Sequence, residues 1–242
     1  MQNMYRQQSL ITLDQFYEMK PLSKLEAILS FIDYSLFEEI FPYDAHKRGP
    51  KGYSKKQLFT TLMAMPIEQL SDIKALVTRL KSDPVLRRSL GYDYTNDTPS
   101  AATLNRFITL LSGTDILERT FRRMVCKARK LGLIDGTNVA IDASKLTAYE
   151  HAVPKSRIPP DNPSFPNWGG KLDTNGNFIK WFGWKMHALV DTYSGIPISY
   201  IITPANIADM DVAEDLIQKM MVDYENGLTP KYYMMDAGYD KP

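Results

Sequence analysis

Two aspartates each follow a short apolar run. Asp142 comes after Val139-Ala140-Ile141, and Asp236 after Tyr232-Tyr233-Met234-Met235. Runs rich in β-branched and aromatic residues read as strands, and a carboxylate at the end of one is costly to bury without a counter-ion. A divalent cation is one such partner, and oxygen ligands suit Mg2+ or Mn2+. Two such ions, about 3.5–4 Å apart, clamp the attacking and leaving oxygens of an in-line phosphoryl displacement. Either aspartate taken singly reads first as the cap of the turn or helix that follows it.

The stretch between the two tips the reading toward metal chemistry. Trp184 to Thr203 holds two strand-like runs joined at Asp191-Thr-Tyr-Ser-Gly195, a β-hairpin pattern. Met210 to Tyr224 then carries Val212, Leu216, Ile217, Met220 and Met221 at helical spacing, with Asp209, Asp211, Glu214 and Asp215 suiting the positive end of the helix dipole. The order is therefore strand, long insertion, strand, strand, helix, strand. Asp142 belongs to the first strand and Asp236 closes the last. His187 falls on the strand expected beside that of Asp142, where it reads either as a residue at the metal or substrate phosphate or as a satisfied residue of the sheet.

These residues resemble a known family, the bacterial insertion-sequence transposases of the DDE type. The resemblance rests on Ile141-Asp142-Ala-Ser144, on Gly183-Trp-Lys-Met-His187 running into Asp191-Thr-Tyr-Ser-Gly195-Ile-Pro197, on Thr203-Pro-Ala-Asn206 through Asp211, and on Asp236-Ala-Gly-Tyr-Asp240. It extends weakly to Tyr53-Ser54-Lys55 and Thr98-Pro99-Ser100. The resemblance implies a ribonuclease-H-like catalytic domain in which Asp142 and Asp236 are the first two catalytic acids and metal ligands. It implies a Mg2+ or Mn2+ cofactor, hydrolysis at transposon ends, and attack of the freed 3′-hydroxyl on target DNA. The implied partners are double-stranded terminal inverted repeats and target DNA, bound by a homodimer.

In that family a glutamate on a later helix completes the acidic triad. Here no Glu follows Asp236 and the sequence ends at Pro242. The expectation is a front portion, truncated after the fourth core strand, with weak metal binding and little or no cleavage. A non-catalytic DNA-binding remnant is the alternative, and another nuclease of the same fold a further one.

The elements that must position these acids form a two-domain chain of mixed α+β and α/β character: a helical domain over residues 1–134, then a partial mixed-sheet domain over 135–242. The 242 residues suffice for two domains. No apolar stretch approaches the roughly 20 residues of a membrane helix, and Met1-Gln-Asn-Met-Tyr-Arg6 lacks a secretory layout, so a cytoplasmic, nucleoid-associated protein is expected. One cysteine, Cys126, and three histidines without ligand spacing argue against disulfides and a zinc site.

The net charge of +1 hides an asymmetry: residues 1–134 hold 20 Lys and Arg against 14 Asp and Glu, residues 135–242 hold 9 against 14. The front half is basic, as a partner of phosphates would be. Lys47, Arg48, Lys51, Lys55 and Lys56 form one cluster. Arg119, Arg122, Arg123, Lys127 and Lys130 fall along one helix face, with Leu117, Phe121, Met124, Val125 and Ala128 on the other. That basic face reads as a phosphate contact or as an ordinary solvated surface. Apolar spacing predicts helices near 22–40, 54–65, 68–81, 101–112 and 114–131, with breaks at Pro42, Gly49-Pro50, Pro66, Pro84 and Gly113. A helix-turn-helix reader would aim Thr103, Asn105 and Arg106 at base edges; a helical hairpin that only packs is the commoner arrangement for such a pattern. Residues 144–183, rich in Pro, Asn and Gly, read as a long insertion loop. Within it Trp168, Trp181 and Phe182 beside Lys155, Arg157, Lys171 and Lys180 suit stacking on splayed bases, or serve to pin the loop to the sheet.

Overall fold

The computed structural model describes residues 12–42, 52–93, 97–159, 162–172, 175–225 and 227–236. Lys47, Arg48, Lys51, Gly49-Pro50 and Asp240 lie outside the described residues. The chain divides into two compact units, Met1–Thr120 and Phe121–Pro242.

The first unit is built from short helices: α1 (Leu13–Met19), α2 (Lys24–Phe31), α3 (Ser35–Ile40), α4 (Lys55–Ile67), α5 (Ile73–Ser82), α6 (Pro84–Ser89) and α7 (Ala101–Ser112). Capping residues decide where they start. Thr12 with Gln15, and Ser23 with Glu26, form reciprocal capping boxes. Ser54, Asp72 and Ser100 each accept a backbone N–H from the first turn. Thr114, expected to start the next helix, donates its hydroxyl back to the Leu111 carbonyl, and α8 (Ile116–Lys130) begins two residues later. Leu36, Leu76, Leu80 and Leu104 are fully buried among these helices. Each stabilises the unit by roughly 1.5–3 kcal/mol relative to exposure.

Three expectations need correction here. The helix expected over 22–40 is two helices, because Asp33 accepts the Ser35 N–H (3.0 Å) and turns the chain between them. The break expected at Pro66 falls inside α4, whereas the one expected at Pro84 is where α5 gives way to α6, with Pro84 in the first position of α6, where a missing N–H costs nothing, behind Asp83 as the cap. The segment Leu13–Met19, without a clear periodicity, is nonetheless helical.

The second unit holds β1 (Asn138–Thr147), β2 (Asn167–Leu172), β3 (Phe178–Asp191), β4 (Pro197–Pro204), α9 (Ala213–Asp223) and β5 (Tyr232–Met235). The described strands form one sheet in the order β2-β3-β1-β5, with β4 also paired to β3. Only β5 runs parallel to its neighbour β1; the other pairs are antiparallel. Val139, Ile141, Leu189 and Ile198 pack with Val125 and Ala128 of α8 and Leu216 and Met220 of α9 into one buried cluster.

The insertion is much shorter than 144–183. β1 continues to Thr147, β3 begins at Phe178, and Asn167–Leu172 pairs with it from Asn167↔Gly183 to Leu172↔Phe178. The connection from β1 to β2 therefore spans only residues 148–166, with a short 3-10 turn at Lys155–Arg157. Asn175-Gly176, with Gly176 at φ +81°, is a hairpin-turn signal that the surrounding Pro and Gly obscure. Asp142 likewise lies within β1, not at its end.

Candidate metal centre

Along β1, Val139 and Ile141 are buried while Asp142 is exposed, so the pleat turns Asp142 away from the core. β1 and β5 are parallel, with Ile141 opposite Met235. The next position on each chain is Asp142 and Asp236. Neighbouring strands lie about 4.8 Å apart, and residues of one rung share a face. The register thus brings two exposed aspartates to neighbouring positions where β5 ends. Asp142 Oδ1 accepts the Ala143 N–H (2.7 Å). All donor atoms here are carboxylate oxygens, the set preferred by hard cations. Among the described residues no group of three His, Cys, Asp or Glu side chains is placed to hold a metal.

His187 pairs with Ala143, one rung from Asp142, and so faces the other side of the sheet. It is fully buried. Its Nε2 is 3.0 Å from Thr203 Oγ1, while Nδ1 has no hydrogen-bond partner. Asp209 Oδ1 lies 3.9 Å from Nδ1 but is held by Lys185 Nζ at 2.7 Å. Burial pushes the imidazole pKa down, against the pull of Asp209, and Lys185 adds to the lowering. His187 thus has no exposed surface for a substrate phosphate and stands as a neutral residue of the sheet. Asp191, at the β3–β4 turn, is also buried. It accepts from Gly136 N (2.8 Å), Ser194 N (2.9 Å) and Ser194 Oγ (2.8 Å). Desolvation raises its pKa, but these hydrogen bonds outweigh that and hold it low. Its oxygens serve the turn.

The basic residues of α8 are largely engaged within the protein. Arg119 pairs with Glu39 (2.6 Å) and Asp115 (3.9 Å), and Arg122 with Asp223 (3.3 Å). Arg123 and Lys127 also have partners; Lys130 is exposed. The expected apolar face is shifted: Ile116, Thr120, Val125 and Ala128 are buried, whereas Leu117 is 47% exposed. On α7, Leu104, Phe107 and Leu111 are buried and Asn105 and Arg106 exposed, with Arg106 Nη2 3.5 Å from Thr103 Oγ1.

Trp168 is half-buried. Its indole N–H donates to the Val153 carbonyl (2.8 Å), and its ring lies 5.6 Å from that of Phe182. It pins the 148–166 connection to the sheet. Its neighbours also line a cleft whose key members, Phe178 and Gly170, sequence reasoning missed. Their signal was the strand alternation on either side of Asn175-Gly176.

Comparison with protein families matches residues 128–242 to the transposase DDE domain and residues 11–110 to a second transposase domain, of the type designated DUF772. No curated protein and no solved structure matches the chain. Among the described residues no helix is long and apolar enough to cross a membrane. With a DDE domain over the stretch that carries Asp142 and Asp236, and a transposase domain ahead of it, the chain belongs to the insertion-sequence transposases of the DDE type.

Proposed function

We propose that this transposase works by metal-assisted phosphoryl transfer at insertion-sequence ends, with Asp142 and Asp236 as two of its metal ligands. The observation that supports the reading is the β1–β5 register, in which Asp142 of β1 and Asp236, just after β5, each follow one member of the aligned pair Ile141 and Met235. The strand order, with β1 flanked by antiparallel β3 and parallel β5, supports a ribonuclease-H-like arrangement. Mg2+ or Mn2+ bound there would polarise phosphoryl oxygens and lower the pKa of a bound water. The protein's own part is to hold two oxygen ligands on a rigid sheet and keep them open to DNA. Arg106 on α7 and Lys130 on α8 are exposed cations suited to the phosphates of the terminal repeat, and two copies acting together would hold two transposon ends.

A non-catalytic reading, DNA binding without cleavage, is favoured by the absence of a third acid beside the pair among the described residues. Titration with Mn2+ followed by calorimetry tests the metal site. Weak binding is expected, lowered about tenfold or more by Asp142→Ala and by Asp236→Ala alike, since each removes half of the donor set. Unchanged Mn2+ affinity in both variants would sink the proposal. Nicking of a terminal-repeat duplex by the same protein separates the catalytic from the non-catalytic reading.

A further inference from the structure

The β2–β3 hairpin carries a cleft of about 330 Å3 lined by Lys155, Trp168, Gly169, Gly170, Phe178 and Lys180. Gly170 is what opens it. Trp168 and Gly170 share one face of β2 with Phe182 and Lys180 opposite them on β3, and Phe178 lies on the same face of β3. A side chain at 170 would collide with the Phe178 ring, which folds over the glycine. Phe178 is 60% exposed, so its ring face is open to a ligand. Lys180 Nζ lies 5.6 Å from the centre of that ring, and Lys155 approaches from the turn Lys155–Arg157. Among the described residues neither ammonium forms an ion pair, and no carboxylate lines the cleft.

Flat rings beside two ammonium groups suit a ligand that offers a flat apolar face and a negative charge together. An unpaired nucleotide does so; a duplex hides its base faces by stacking. We propose that this cleft binds one unstacked base of single-stranded DNA, stacked on Phe178 and Trp168, with its flanking phosphates at Lys155 and Lys180. The position agrees. Even-numbered residues of β3 share a face, and Ala188 on that face lies opposite Asp142. Lys180 is eight residues from Ala188, about 26 Å along the strand at roughly 3.3 Å per residue. The cleft and the aspartate pair therefore open on the same side of one sheet. The inference rests on the transposase reading only in taking the ligand to be DNA.

The test is fluorescence anisotropy of the whole chain with three probes at several salt concentrations: a labelled oligothymidylate of about 15 nucleotides, its abasic counterpart, and a blunt duplex of equal length. The oligothymidylate should bind more tightly than the abasic strand. Phe178→Ala and the space-filling Gly170→Val should each weaken it about fivefold or more, the effect of losing one stacked base, while leaving the abasic strand and duplex within twofold. Lys155→Ala with Lys180→Ala should lower the salt-dependence slope by about 1.4, the release expected for two single-strand phosphate contacts. Circular dichroism and the Mn2+ titration should be unaltered in all variants. Equal loss on all three probes, or no loss on any, overturns the cleft assignment. If Mn2+ binding at Asp142 and Asp236 persists in that case, the metal reading stands and only the cleft fails.

Discussion

Asp142 and Asp191 are both on sheet strands of the second unit, yet their surroundings give them opposite duties. Asp191 is buried and accepts three hydrogen bonds that orient Gly136 and Ser194, whereas Asp142 is exposed. Replacing Asp191 by Ala leaves a buried N–H without its acceptor and should cost about 3 kcal/mol in urea unfolding near neutral pH. Asp142→Ala should change stability by less than about 0.5 kcal/mol. The sign of the pH dependence follows from the lowered folded pKa of Asp191. Its contribution is complete above the ordinary value of 3.8 and is lost as pH falls toward the lower folded value, so the gap between wild type and Asp191→Ala should narrow in acid. A gap that widened there would contradict the hydrogen-bonding account.

At the scale of elements, β3 organises the unit, because it pairs with β1, β2 and β4. Gly183 sits where these partners meet, opposite Thr147 of β1 and Asn167 of β2. A Cβ there would run into the Leu146 carbonyl and lie 2.7 Å from Ala148 N. Both are backbone atoms, which cannot swing aside. Gly183→Ala should therefore destabilise by about 1–3 kcal/mol in equilibrium unfolding, and an unchanged midpoint would show that β1 and β3 can separate locally at little cost. Sequence periodicity located β3 from Trp184 onward and β4 nearly whole, since their apolar residues are contiguous. It missed the front of β3 and all of β2, because Gly169, Gly170 and Asn175-Gly176 read locally as loop while their strand state depends on pairing.

For the whole molecule, the family matches over 11–110 and 128–242 fall largely within the two compact units. A ligand that binds only the folded form stabilises the unit that holds it. Mn2+ near saturation should slow amide hydrogen exchange along β1 and β5 and leave α2, α4 and α7 unchanged. Equal slowing throughout would place the ion elsewhere or tie the units into one cooperative block.

Much of this protein was legible in its residue order: the helix starts at Ser54, Asp72 and Ser100, the strands ending in or carrying Asp142 and Asp236, and the family itself. Those features are local, set by capping groups and by apolar runs a few residues long. Tertiary structure alone decided the rest. Whether the basic residues of α8 face solvent depended on Glu39 and Asp223, both distant in sequence. Whether His187 met substrate depended on which side of the pleat it took, and one rung reversed the answer. The alignment of Ile141 with Met235, each followed by an aspartate, required a parallel register across 93 intervening positions, which no short-range pattern encodes.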